Sequence, residues 1–121
     1  MRIATGLAAL AALALVGTAA RAEDPKAATK QDLRCLVVAY TLSANPDPQT
    51  KSFATAALIY FLGRLNGREP DMDVEARVRA EIPKIAPADF MTDLQECGAL
   101  VKKRGEEIKT IGEHLRDHPA N

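Results

Sequence analysis

Tryptophan is absent, and two tyrosines and three phenylalanines are the only aromatic residues. No run of β-branched residues alternates over five positions, so strand signals are missing and the chain reads as all-α. Serine occurs only at Ser43 and Ser52, neither in a nucleophile turn. No glycine-rich phosphate loop is present, and no acid lies in a stretch apolar enough to look buried. The sequence therefore contains no catalytic constellation and implies no cofactor. Charge of one sign is also lacking. Sixteen Lys and Arg face sixteen Asp and Glu, and no block reaches five like residues. That excludes a nucleic-acid arm and an anionic-lipid anchor. No internal repeat is visible.

Cysteine is scarce but informative. Cys35 and Cys97 are the only two, without the Cys-x-x-Cys spacing that lowers a thiol pKa. Their meaning depends on the compartment, which the first 22 residues indicate. Met1-Arg2 is a short positive start, Ile3 to Ala20 is an apolar run, and Ala20-Arg21-Ala22 places small residues where a signal peptidase reads. Residues 1–22 are thus expected to be a signal peptide, with a retained membrane anchor as the alternative. Cleavage after Ala22 leaves 99 of the 121 residues, enough for one domain. Losing Arg2 and Arg21 takes the basic residues to 14 against 16 acids, a net charge of −2. No cysteine follows the cut, which argues against a lipoprotein, and no other segment is suited to spanning a bilayer. The expected location is periplasmic or secreted, and in that oxidising setting Cys35 and Cys97 should form one disulfide.

Helical periodicity organises the remainder. Residues 23–28 read as a disordered lead-in and 29–118 as a single helical domain. Thr29 and Asp32 form a near-match to a capping box. Leu33, Leu36, Val37 and Tyr40 follow at helical spacing, with Cys35, Val38 and Leu42 widening the apolar face. Asn45-Pro46-Asp47-Pro48 ends that helix, and Asp47-Pro48 is a cap and first position for the next. Phe53 to Leu62 is apolar on almost every side, so this second helix should be surrounded by others, with Leu58 and Leu62 in the core and Gly67 as its stop. A third helix is expected over 72–82, broken by Pro83. A fourth is expected from Ala88 to Asp117, with a seam of Phe90, Leu94, Cys97, Val101, Ile108 and Leu115 and with Met91, Leu100 and Ile111 beside it. The expected fold is a compact bundle of about four helices, with the disulfide joining the first and last.

Three groups of residues carry candidate chemistry. Gly98, Gly105 and Gly112 are seven apart on the fourth helix, each costing about 0.5–1 kcal/mol relative to Ala. Such a stripe admits a close helix backbone, either within the bundle or across a homodimer. Arg64 and Arg68 are one turn apart at the end of the second helix. They can pair with Asp71 and Asp73 or form an anion or partner site. His114 and His118 share a helical face and are the candidates for a metal, although two ligands near a fraying terminus make a weak site.

The run Tyr60-Phe61-Leu62-Gly63-Arg64-Leu65-Asn66-Gly67-Arg68-Glu69-Pro70, between two distant cysteines, resembles a group of small exported bacterial proteins of unknown function, over roughly Cys35 to Gly105. The resemblance implies a fold and a compartment. More distantly, the layout is similar to periplasmic acid-stress chaperones of the HdeA type, including Ala86-Pro87-Ala88 leading into the helix of Cys97. The inter-cysteine loop here is longer, and the fourth helix runs well past Cys97. The expected function is a non-enzymatic helical protein that binds another protein, as a stress-related holdase or an inhibitor. The alternative is a small enzyme or metal-handling protein using His114 and His118. The two differ in what they should expose: an apolar patch or groove for the first, a pocket with convergent polar groups for the second.

Overall fold

The computed structural model describes residues 24–119. The expected leader, Glu23 and the last two residues lie outside them. Four α-helices follow one another: α1 (Pro25–Ser43), α2 (Pro48–Arg68), α3 (Val74–Glu81) and α4 (Pro87–Asp117), with a 3-10 turn over Ile82–Lys84. No strand occurs among the described residues.

Proline and aspartate set the helix starts. Pro25, Pro48 and Pro87 each occupy the first turn, where the missing N–H costs nothing. The Asp24 carboxylate accepts from the Lys26 N–H at 3.1 Å, Asp47 from the Thr50 N–H at 2.7 Å, and Asp73 from the Ala76 N–H at 3.0 Å. Asp24-Pro25 thus repeats the Asp47-Pro48 signature. Two expectations are corrected by it. The first helix starts at Pro25, so 25–28 are helical, and Thr29 is a buried residue inside α1 and caps nothing. Gly67 does not stop α2 either. The helix continues to Arg68, and Glu69 leaves the helical region with φ −134° and ψ 76° because Pro70 follows it.

Helix α1 is the hub. It runs antiparallel to α2 and also meets α3 and α4. The core joins Leu33, Cys35, Leu36 and Ala39 of α1 to Ala57, Phe61 and Leu65 of α2 and to Cys97 of α4. The Cys35–Cys97 disulfide, with its Cα atoms 5.5 Å apart, links the first helix to the last. Beside it, Arg34 donates from Nε to Asp93 at 2.8 Å, a second tie between α1 and α4.

The central position expected of α2 is not observed. Only Ala54, Ala57, Phe61 and Leu65 are buried. Leu58 is half-buried, Leu62 is 41 % exposed, and Ile59 is 69 % exposed. The cause is topological: three neighbours clustered on α1 cannot also enclose α2.

The glycine stripe is corrected too. A methyl group built on Gly98, Gly105 or Gly112 would meet nothing within 4 Å, so no helix backbone approaches them. Along the α4 seam Cys97 is buried and Phe90, Leu94 and Val101 are half-buried, whereas Ile108 and Leu115 are exposed. Beyond Val101, Arg104 of α4 still reaches Tyr60 of α2, but the apolar side chains of the last turns are exposed.

Candidate functional site

Thr29, Asp32, Leu36 and Ala39 recur every three to four residues along α1, with Cys35 beside them, which puts an aspartate on the buried face of an apolar helix. Asp32 is 0 % exposed, contrary to the expectation that no acid is buried. The antiparallel α2 brings Arg64 and Arg68 over it from one turn apart. Arg64 Nε donates to Asp32 Oδ2 at 2.9 Å, and Arg68 Nη2 donates to the same oxygen. Asp32 Oδ1 is buried and accepts no hydrogen bond. The two arginines are therefore paired with an acid 32 and 36 residues away, instead of with Asp71 and Asp73.

The network extends to both sides. On one side Arg68 Nε donates to the Thr29 hydroxyl at 3.5 Å, and that hydroxyl donates to Glu69 Oε1 at 3.0 Å. On the other, Arg64 Nη1 donates to the Tyr60 hydroxyl oxygen at 3.0 Å, and Arg104 of α4 donates to the same oxygen at 3.4 Å. Burial alone would push the Tyr60 phenol up, but the hydrogen bonds from Arg104 and Arg64 outweigh it and hold the group below its ordinary value. Arg64 also lies 5.6 Å from the Tyr60 ring centre, within cation–π range. Its charge is held more strongly than in water despite its partial burial, because Tyr60 and Asp32 both favour the cation.

The chemistry of this cluster is directed inward. A buried carboxylate, two guanidinium groups and a phenol hold one another by hydrogen bonds across the α1–α2 seam, which suits a helix clamp. Asp32, Tyr60 and Arg104 were not singled out from sequence. The signal for Asp32 was its place in the three-to-four residue rhythm of Thr29 to Ala39. Arg104 reaches Tyr60 only through the packing of α4.

The other candidates stay apart from it. His114 and His118 lie with ring centres 4.6 Å apart and planes tilted by 49° on the last, exposed turns of α4. Among the described residues no group of three or more His, Cys, Asp or Glu is placed to hold a metal ion. Gly98 lines a small apolar crevice beside the disulfide, together with Phe53, Ala57 and Leu94. It holds about 10 Å³, room for one water at most.

One of the open hollows of the molecule is apolar, whereas others of similar size carry charged side chains such as Lys30, Arg34 and Glu96 or Lys103, Glu106 and Glu107. Val37 and Thr41 of α1, Ile82 and Ile85 around the 3-10 turn, and Pro87 and Phe90 of α4 line an open groove of about 470 Å³ without a charged residue. Ile82 also borders a neighbouring hollow with Tyr40 and Val78, which Glu75 and Arg79 line as well. Tyr40 and Ile82 are both exposed. None of the described helices is long and apolar enough to cross a membrane.

The fold and site thus define an all-α bundle of four helices held by one disulfide. No protein-family model, curated protein or solved structure matches the chain.

Proposed function

We propose that the chain is an exported, non-enzymatic binding protein whose partner is the apolar face of another protein, docked in the groove between α1, the 3-10 turn and α4. The carrying observation is the lining of that groove: Val37, Ile82, Ile85, Pro87 and Phe90 surround about 470 Å³ with no charged side chain. An exposed apolar concavity of this kind loses free energy by taking up apolar side chains from outside. An apolar segment of the partner would occupy it. The polar groups that catalysis would use, Asp32, Arg64 and Tyr60, hold one another on a different part of α1 and α2.

The test is suppression of aggregation of an unfolding client by the mature, oxidised protein, together with photo-crosslinking from a probe placed at Tyr40. Ile82→Glu places a charge on an exposed groove wall and should abolish both effects while the far-ultraviolet spectrum stays helical. Undiminished protection by Ile82→Glu refutes this site.

A further inference from the structure

The outer face of α2 has an unusual composition. Ser52, Thr55, Ala56, Ile59, Leu62, Gly63, Asn66 and Gly67 are all exposed, and none is charged. The only charged residues of this helix are Lys51 in its first turns and Arg64 and Arg68, both of which point at Asp32. A helix apolar all round is normally enclosed, and the monomer encloses one side of this one.

We infer that the uncovered face is the seam of a two-fold dimer, in which α2 of one copy runs antiparallel along α2 of a second copy. Three observations select a second copy. First, Ser52, Ala56, Ile59, Gly63 and Asn66 are spaced by four, three, four and three residues, the period of a helix–helix seam. Second, the seam is self-complementary in volume. Antiparallel pairing centred on residue 61 sets Ile59 of each copy against Gly63 of the other, and a group added at Gly63 would meet nothing within 4 Å in the monomer. Parallel pairing would instead stack Ile59 on Ile59 and leave an empty layer at Gly63. Third, an uncharged face meets its own image without repulsion. The glycine stripe of α4 fails on that count. Lys102, Lys109 and Arg116 flank it on one side and Arg104 on the other, with Lys109 paired to Glu113 and Arg104 to Glu107, so a self-pair there would have to bury charged groups.

Area sets the strength. A helix of 21 residues is about 31 Å long, and its pairing along one face buries on the order of 1,000 Å² in total. That is at the lower edge of stable interfaces, so a weak, reversible dimer is expected. This inference does not depend on the groove between α1 and α4.

Sedimentation equilibrium of the mature, oxidised chain from micromolar to hundreds of micromolar tests it. The expected result is a monomer–dimer transition that Ile59→Glu eliminates. Gly63→Leu should eliminate it as well, yet leave the monomer at least as resistant to heat, because the space around Gly63 is open and Leu is the better helix former. Ile82→Glu, in the groove, should leave the transition unchanged. Spin labels at Ser52→Cys should lie about 27 Å apart along the axis in the antiparallel pair. A monomer at every concentration, a dimer that survives both α2 substitutions, or labels in contact overturns the inference.

Discussion

Asp32→Ala is the most informative single change in the structure. It deletes a fully buried carboxylate and leaves the guanidinium groups of Arg64 and Arg68 without their carboxylate, held by the neutral hydroxyls of Tyr60 and Thr29. Removing one partner of a buried ion pair costs about 3–5 kcal/mol when the stranded charge cannot reach water. Two features of the structure lower that figure. The arginine side chains are 21 % and 25 % exposed and can turn outward. The unpartnered Asp32 Oδ1 carries a desolvation penalty of about 1–3 kcal/mol that disappears with the carboxylate. A net loss of about 2 kcal/mol is expected, and for a domain of this size that lowers the melting temperature by roughly 10 °C. Thermal and urea unfolding of the chain from residue 23 onward would measure it. The triple change Asp32→Leu, Arg64→Met, Arg68→Met is the decisive control. It removes all three charges and the orphaned oxygen together, so it should recover most of the loss. If Asp32→Ala costs less than about 0.5 kcal/mol, or the triple variant is less stable than the single one, the clamp reading is wrong.

Other expectations follow from packing and caps. Phe61→Ala should cost about 3–5 kcal/mol and Leu62→Ala under about 1 kcal/mol, because the first ring is fully buried and the second side chain is exposed; equal losses in chemical denaturation would mean that α2 is enclosed after all. Gly105→Ala should raise stability by about 0.5–1 kcal/mol, since the added methyl meets nothing; a lower melting temperature would reveal a close neighbour. Reducing Cys35–Cys97 frees a loop with a sequence separation of 62 and should cost roughly 4 kcal/mol, read from melts with and without reductant. The Thr50 amide and hydroxyl hold the Asp47 carboxyl below its ordinary value. Its contribution is therefore complete above the unfolded value near pH ~4 and fades as pH falls through the lower folded value. Asp47→Asn keeps the cap without titrating, so its melting temperature should fall less on acidification than that of the wild type; parallel acid profiles would refute the assignment.

Helix starts were legible because their causes are local. Asp47-Pro48 and Pro87 act through bonds to residues within one turn, and α2 and α4 begin there or within one residue of expectation. Asp24-Pro25 carried the same signal, and a weaker capping pattern at Thr29 masked it. The disulfide was legible from number and setting: two cysteines in a chain read as exported leave one pairing. What covers each helix face was not legible. Periodicity reports that Ile59, Leu62 and Ile108 belong to apolar stripes, but not whether three helices supply enough surface to cover them. The packing of α3 and α4 on α1 decided that they do not. The destination of Arg64 and Arg68 was likewise a tertiary matter. The nearby acids Asp71 and Asp73 were available in sequence, yet an unpaired Asp32 inside the α1–α2 seam would cost more than an unpaired acid in water. Burial, which only the complete fold creates, made the distant acid the stronger partner.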